Sequence, residues 1–65
     1  MESVSEKLLS LRKERGISRE ELAEAIGVSI SAISMYENGE RIPRDDIKIK
    51  IANYYKKSVG SIFFD

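Results

Sequence analysis

Apolar residues recur at three- and four-residue spacing along the chain, in short runs broken by glycine, serine and proline. Val4, Leu8 and Leu11 share one face of a helix that opens at Ser3, with Lys7, Lys13 and Arg15 turned to water. Ser3 and Glu6 have capping-box spacing, in which the serine oxygen accepts a backbone N–H and the glutamate reaches back to the cap. Gly16 stops this helix, and Ile17 precedes the next cap as a hydrophobic staple. Ser18 with Glu21 repeats the box and opens a second helix carrying Leu22, Ala23 and Ile26 on one face. Gly27 supplies the left-handed backbone that ends a helix without a Cβ clash, and Val28 is the apolar contact just beyond it. Ser29 then caps a third helix whose inward residues are Ile33 and Tyr36.

Asn38-Gly39 closes that third helix. The same pair is a strong hairpin signal, but Pro43 and the uneven alternation of its flanks favour a helix cap. Residues 41–44 form a loop ending near Pro43, and Asp45 or Asp46 starts a fourth helix. Ile47, Ile49 and Ile51 alternate as in a strand, yet Ile47, Ile51 and Tyr55 restore a helical stripe. Lys56-Lys57 lies where a helix C-terminus favours positive charge. Ser58 caps a last short helix bearing Val59, Ile62 and Phe63. With no repeats, linkers or low-complexity stretches, the expected architecture is all-α: one compact five-helix bundle over residues 1–65.

The 65 residues stand near the lower size limit for folding without staples. The absence of cysteine and histidine excludes disulfides and the usual zinc sites, and no cofactor or metal is expected. No apolar run approaches the roughly 18 residues of a membrane span. The opening Met-Glu-Ser-Val-Ser-Glu-Lys is polar and acidic, unlike a signal peptide, so a cytoplasmic location is expected. Ser10-Leu-Arg-Lys13 spells Ser-x-x-Lys, but no partner motif accompanies it and no acid–base pair stands out; an enzyme is not expected. Eleven Lys and Arg balance eleven Asp and Glu, which argues against a strong non-specific nucleic-acid binder. Distribution softens this objection. Glu20, Glu21 and Glu24 gather on the second helix, whereas Arg41, Arg44, Lys48 and Lys50 follow the third.

Helix, glycine turn, helix, with a small alanine at the crossing, is the layout of a DNA-reading helix-turn-helix. Bulk at Ala23 or Gly27 is expected to push the two helices apart. The runs Leu-Arg-Lys-Glu-Arg-Gly-Ile-Ser, Glu-Leu-Ala-Glu-Ala-Ile-Gly-Val-Ser and Ile-Ser-Met-Tyr-Glu-Asn-Gly resemble the Cro and phage-repressor family, also called XRE. The tail from Ile51 to Phe64 is similar to the last two helices of that family. The resemblance implies a lambda-repressor-like DNA-binding domain that acts as a homodimer on a near-palindromic operator in double-stranded DNA.

It also implies roles for residues. Ser29, Ile30, Ser31 and Met35 match base-contacting positions, although Ile30 and Met35 also suit a core or a protein interface. Arg19, Ser34, Tyr36, Asn38, Arg41 and Arg44 are the phosphate candidates, with Lys48 at the rim. The competing readings are a solvated charge for the cations, a plain helix cap for Asn38, and inward packing of the Tyr36 ring. Arg12 and Glu37 match a structural salt bridge joining the first helix to the end of the third. Ile62, Phe63 and Phe64 are dimer candidates, with core filling as the alternative. The expected function is a sequence-specific transcriptional repressor. The alternative is a protein-interaction or antitoxin-like module on the same scaffold. No Arg, Gln or Asn stands among the base-contacting positions, so direct readout is expected to be modest, with DNA shape and phosphate contacts adding weight.

Overall fold

Most helix boundaries have a local cause. In the computed structural model, which describes residues 3–64, the elements are α1 (Val4–Arg15), α2 (Arg19–Ile26), α3 (Ile30–Asn38), α4 (Asp45–Tyr55) and α5 (Val59–Phe63). Met1 and Glu2, read above as the start of a polar N-terminus, lie outside the described residues. Ser3 and Ser18 cap α1 and α2 in complete capping boxes with Glu6 and Glu21. The Ser3 backbone N–H, donating to Glu6, holds that carboxyl below its ordinary range. Ser29 and Ser58 accept the Ala32 and Ser61 N–H groups to start α3 and α5. Arg44 precedes α4 without a side-chain cap, so Asp45 and Asp46 occupy its first turn, where the helix dipole favours them.

Gly39 ends α3 in the left-handed conformation at φ 77°, so Asn38-Gly39 is a helix terminus and not a hairpin. Gly27 ends α2 at φ 74°, but a Cβ added there would meet nothing within 4 Å. The glycine is needed for backbone conformation, not for close approach, which corrects the expectation that bulk at this position would separate the helices. Ala23, 3% exposed, carries the packing constraint instead.

The buried stripes converge on one core. Helix α3 packs between α1 and α2, while α4 and α5 close the other side. Ile33, Ile51 and Ile62 are its most enclosed large side chains. Ile47 and Ile51 point in and Ile49 points out, as helical rather than strand geometry requires. Tyr55 is buried, and its hydroxyl has no hydrogen-bond partner among the described residues. Burial, then the charge of Glu37, pushes its phenol up to about 12.

Two of the basic residues expected to face water also join elements. The Lys7 Nζ donates to the Ser61 carbonyl at 3.2 Å, linking α1 to α5. The Arg15 guanidinium lies 5.2 Å from the Tyr54 ring centroid and donates to the Tyr54 carbonyl, closing the end of α4. Just beyond, Lys56 takes the left-handed conformation at φ 57°, the one non-glycine residue to do so among those described. Lys56→Gly is therefore expected to stabilise the fold by about 0.5–1 kcal/mol, seen as a higher urea midpoint with an unchanged slope. An unchanged or lower midpoint would mean that the Lys56 side chain contributes contacts outweighing its backbone strain.

Candidate nucleic-acid interface

Helix α3 has two faces. Ala32, Ile33, Tyr36 and Glu37 are buried, while Ile30, Ser31, Ser34, Met35 and Asn38 form the opposite stripe at helical spacing. Ile30 is 47% exposed, and Met35 and Ser34 are half-buried, so this stripe is not absorbed by the monomer core. Ser29 adjoins it at the helix start with its oxygen engaged by the Ala32 N–H. The stripe is uncharged. Serine hydroxyls and apolar Ile30 and Met35 can touch several base edges and a thymine methyl, but cannot make the bidentate contacts that read guanine or adenine.

The phosphate candidates separate. Arg19 stands at the first position of α2, exposed at 43% and anchored through its Nε on the Glu37 Oε1 at 3.1 Å. Asn38 is exposed and donates its amide to Glu40 at 3.2 Å. Arg41 and Arg44 are exposed on the segment between α3 and α4 and form no ion pair among the described residues. Tyr36 is corrected: its side chain is in the core and offers almost no surface to a phosphate. Lys48 is also withdrawn, 13% exposed, with its Nζ 3.7 Å from Asp45 and 4.8 Å from the Phe64 ring centroid. Lys50 lines a different groove, beside Glu24 and Gly27, so the basic residues after α3 do not form a single patch.

Arg12 and Glu37 form the structural centre of the site. The Arg12 Nε donates to Glu37 Oε2 at 2.7 Å and its Nη2 to Oε1 at 3.2 Å, a bidentate pair. Its Nη1 donates to the Ile17 carbonyl at 2.9 Å and so holds the α1–α2 turn. The hydrogen bonds to Glu37 raise the Arg12 pKa above its already high ordinary value. Sequence reasoning missed the second arginine on Glu37; only the distance in space, across 18 residues of chain, brings Arg19 to it.

At the other end, Ile62 and Phe63 are buried in the core, which corrects their assignment to a dimer contact. Phe64 is 71% exposed and borders a cleft of about 460 Å³ with Val4, Ile42, Pro43 and Arg41. Ser10 lines a shallow groove with Glu14 and Lys57, and Lys13 is exposed. No group of residues suited to a metal ion occurs among those described, and no described helix is long and apolar enough to cross a membrane.

The chain is similar to proteins of known character. The chain is 37% identical over 49 residues to repressor protein C of Escherichia phage P2, covering 75% of this chain and 50% of that protein. It is 33% identical over 61 residues to the cryptic phage CTXphi transcriptional repressor RstR of Vibrio cholerae, covering 94% of this chain and 55% of that one. The chain thus spans about half the length of the curated relatives it matches. Its fold matches the P22 c2 repressor, solved in complex with a synthetic operator, with a TM-score of 0.93 at 23% identity over 98% of this chain and 97% of that one. A transcriptional regulator from Listeria innocua matches with a TM-score of 0.88 at 28% identity, over 94% of this chain and 57% of that one. A helix-turn-helix family model matches residues 8–62, the span from α1 to α5 that holds the glycine-hinged pair and its flanking arginines. The chain belongs to the helix-turn-helix family, of the XRE type that includes the phage repressors.

Proposed function

We propose that this chain is a sequence-specific DNA-binding domain of a transcriptional repressor, active as a homodimer on a near-palindromic operator. The observation that carries the reading is the uncharged outer stripe of α3, from Ile30 to Asn38, left outside the core, with Arg19 at the start of the preceding helix and exposed Arg41 and Arg44 following it in the chain. In this reading Ser29, Ile30, Ser31 and Met35 meet base edges in the major groove. Arg19, Ser34, Asn38, Arg41 and Arg44 hold phosphates on either side. The phage repressors among its relatives, and the operator complex of the P22 c2 repressor, support the reading. Residues 1–65 act as one unit and bind without cofactor or catalysis, in the cytoplasm.

Pairing of two copies places two such helices about one DNA turn apart, roughly 34 Å. Exposed Phe64 and Ile42, which border one cleft, supply apolar surface for that pairing. The same surface supports the alternative, a protein-interaction module with weak DNA binding.

Salt dependence separates the two. A dimer using Arg19, Arg41 and Arg44 twice is expected to lose affinity for a random duplex about 10³-fold between roughly 50 and 200 mM salt. Fluorescence anisotropy with a labelled duplex measures this. Absent or salt-insensitive binding would favour the interaction module.

A further inference from the structure

A carboxylate at the end of a DNA-reading helix should repel phosphate, yet Glu37 occupies that place. Its side chain is 2% exposed and accepts from three guanidinium nitrogens, two of Arg12 and one of Arg19. Arg12 is consumed by this arrangement, because its remaining nitrogen is bonded to the Ile17 carbonyl. Arg19 is not. Only its Nε is engaged, and its Nη1 and Nη2 form no hydrogen bond to a described residue. A guanidinium held by Nε alone keeps its terminal fork of N–H donors for another acceptor, and that fork matches the oxygens of a phosphate.

We infer that Glu37 is a positioning residue for Arg19, fixing the arginine at the α2 N-terminus so that its terminal fork meets a DNA phosphate. The inference rests on the DNA-binding reading above and adds to it a role for the buried carboxylate. Two consequences follow from the chemistry. Arg19 loses less side-chain freedom when it binds, because Glu37 orders its stem beforehand. Its position is also tied to α3, so the phosphate clamp and the base-facing stripe keep a constant offset. The cluster of two arginines and one glutamate keeps one net positive charge, presented at Arg19.

Electrostatics alone and positioning predict opposite signs for one substitution. Glu37→Gln removes a negative charge from the site, which by Coulomb attraction alone would tighten DNA binding. Positioning requires the reverse, a loss of about three- to tenfold in affinity for a random duplex at fixed salt, since the glutamine keeps shape but weakens the anchor. Arg19→Ala should also weaken binding, and Glu37→Gln combined with Arg19→Ala should be no weaker than Arg19→Ala alone. Arg19→Lys keeps the charge but has no Nε and no fork; it is expected to bind as poorly as Arg19→Ala with unchanged thermal stability, which covers the case in which Glu37→Gln folds badly.

Nitrogen-edited NMR of the full chain without DNA supplies an independent readout. The Arg19 Nε–H should be slow to exchange and should lose that protection in Glu37→Gln. Tighter or unchanged binding by Glu37→Gln, wild-type binding by Arg19→Lys, or a fast-exchanging Arg19 Nε–H would each overturn the inference. A wild-type chain that binds no duplex while its Arg19 Nε–H is protected would instead overturn the DNA-binding reading, and the phosphate role with it.

Discussion

Glu37→Ala is expected to destabilise the fold by about 3–5 kcal/mol, because it leaves a nearly buried guanidinium without its counter-charge. The Arg12 side chain is 12% exposed and directs two of its nitrogens at Glu37. Alanine supplies no acceptor there, and water has poor access to replace it. A chain of this size commonly has a stability of only about 3–10 kcal/mol, so the loss would consume most of it. Urea denaturation followed by circular dichroism measures the effect. The cost belongs to the broken pair, not to the ion cluster as such. Arg12→Met combined with Glu37→Leu should therefore recover most of the stability, since a buried ion pair replaced on both sides by apolar groups is often neutral. A loss below about 1 kcal/mol for Glu37→Ala would show that water reaches the guanidinium and that the cluster is not buried in solution.

Ile62→Ala is the second large effect, expected at about 2–5 kcal/mol. Ile62 is 1% exposed, and its truncation opens a cavity between α5 and the rest of the core. Phe64, two residues away and 71% exposed, is expected to behave oppositely. Phe64→Ala should change monomer stability by less than about 0.5 kcal/mol while weakening self-association. Denaturation at low concentration and sedimentation equilibrium separate the two quantities. Dimerisation that persists unchanged in Phe64→Ala would remove this ring from the proposed interface. Ile62→Ala without loss of stability would contradict the core assignment.

These two residues also mark how far the chain could be read in advance. Val59, Ile62 and Phe63 share helical spacing, but a five-residue helix has too few turns for that spacing alone to keep Phe64 out of the core. Packing against α1 and α4 makes that choice. Lys48 is similar. As a lysine following α3 it resembles a phosphate contact, but in the fold it lies over the Phe64 ring and beside Asp45. Tyr36 was ambiguous for the same reason, since a tyrosine suits both a core and a phosphate. The glycine hinge was legible in position but not in purpose: the left-handed φ at Gly27 follows from helix termination, whereas the open space around it could not be read from the residues.

What the amino-acid order determined unaided is everything carried by contacts three or four residues apart. The capping boxes at Ser3 and Ser18, the serine caps at Ser29 and Ser58, and the glycine stops at Gly16, Gly27 and Gly39 set where most of the helices begin and end. Tertiary structure alone decided the encounters between distant segments: Arg19 on Glu37, Arg15 over Tyr54, Lys7 on the Ser61 carbonyl, and the split between buried Phe63 and exposed Phe64. The stop at Lys56-Lys57 was legible too, but the left-handed backbone of Lys56 and the Arg15 guanidinium closing the end of α4 from across the fold were not. The physical reason is range. Helix caps and stripes are satisfied within one turn of chain, whereas an ionic or aromatic contact between helices depends on the angle at which whole helices pack.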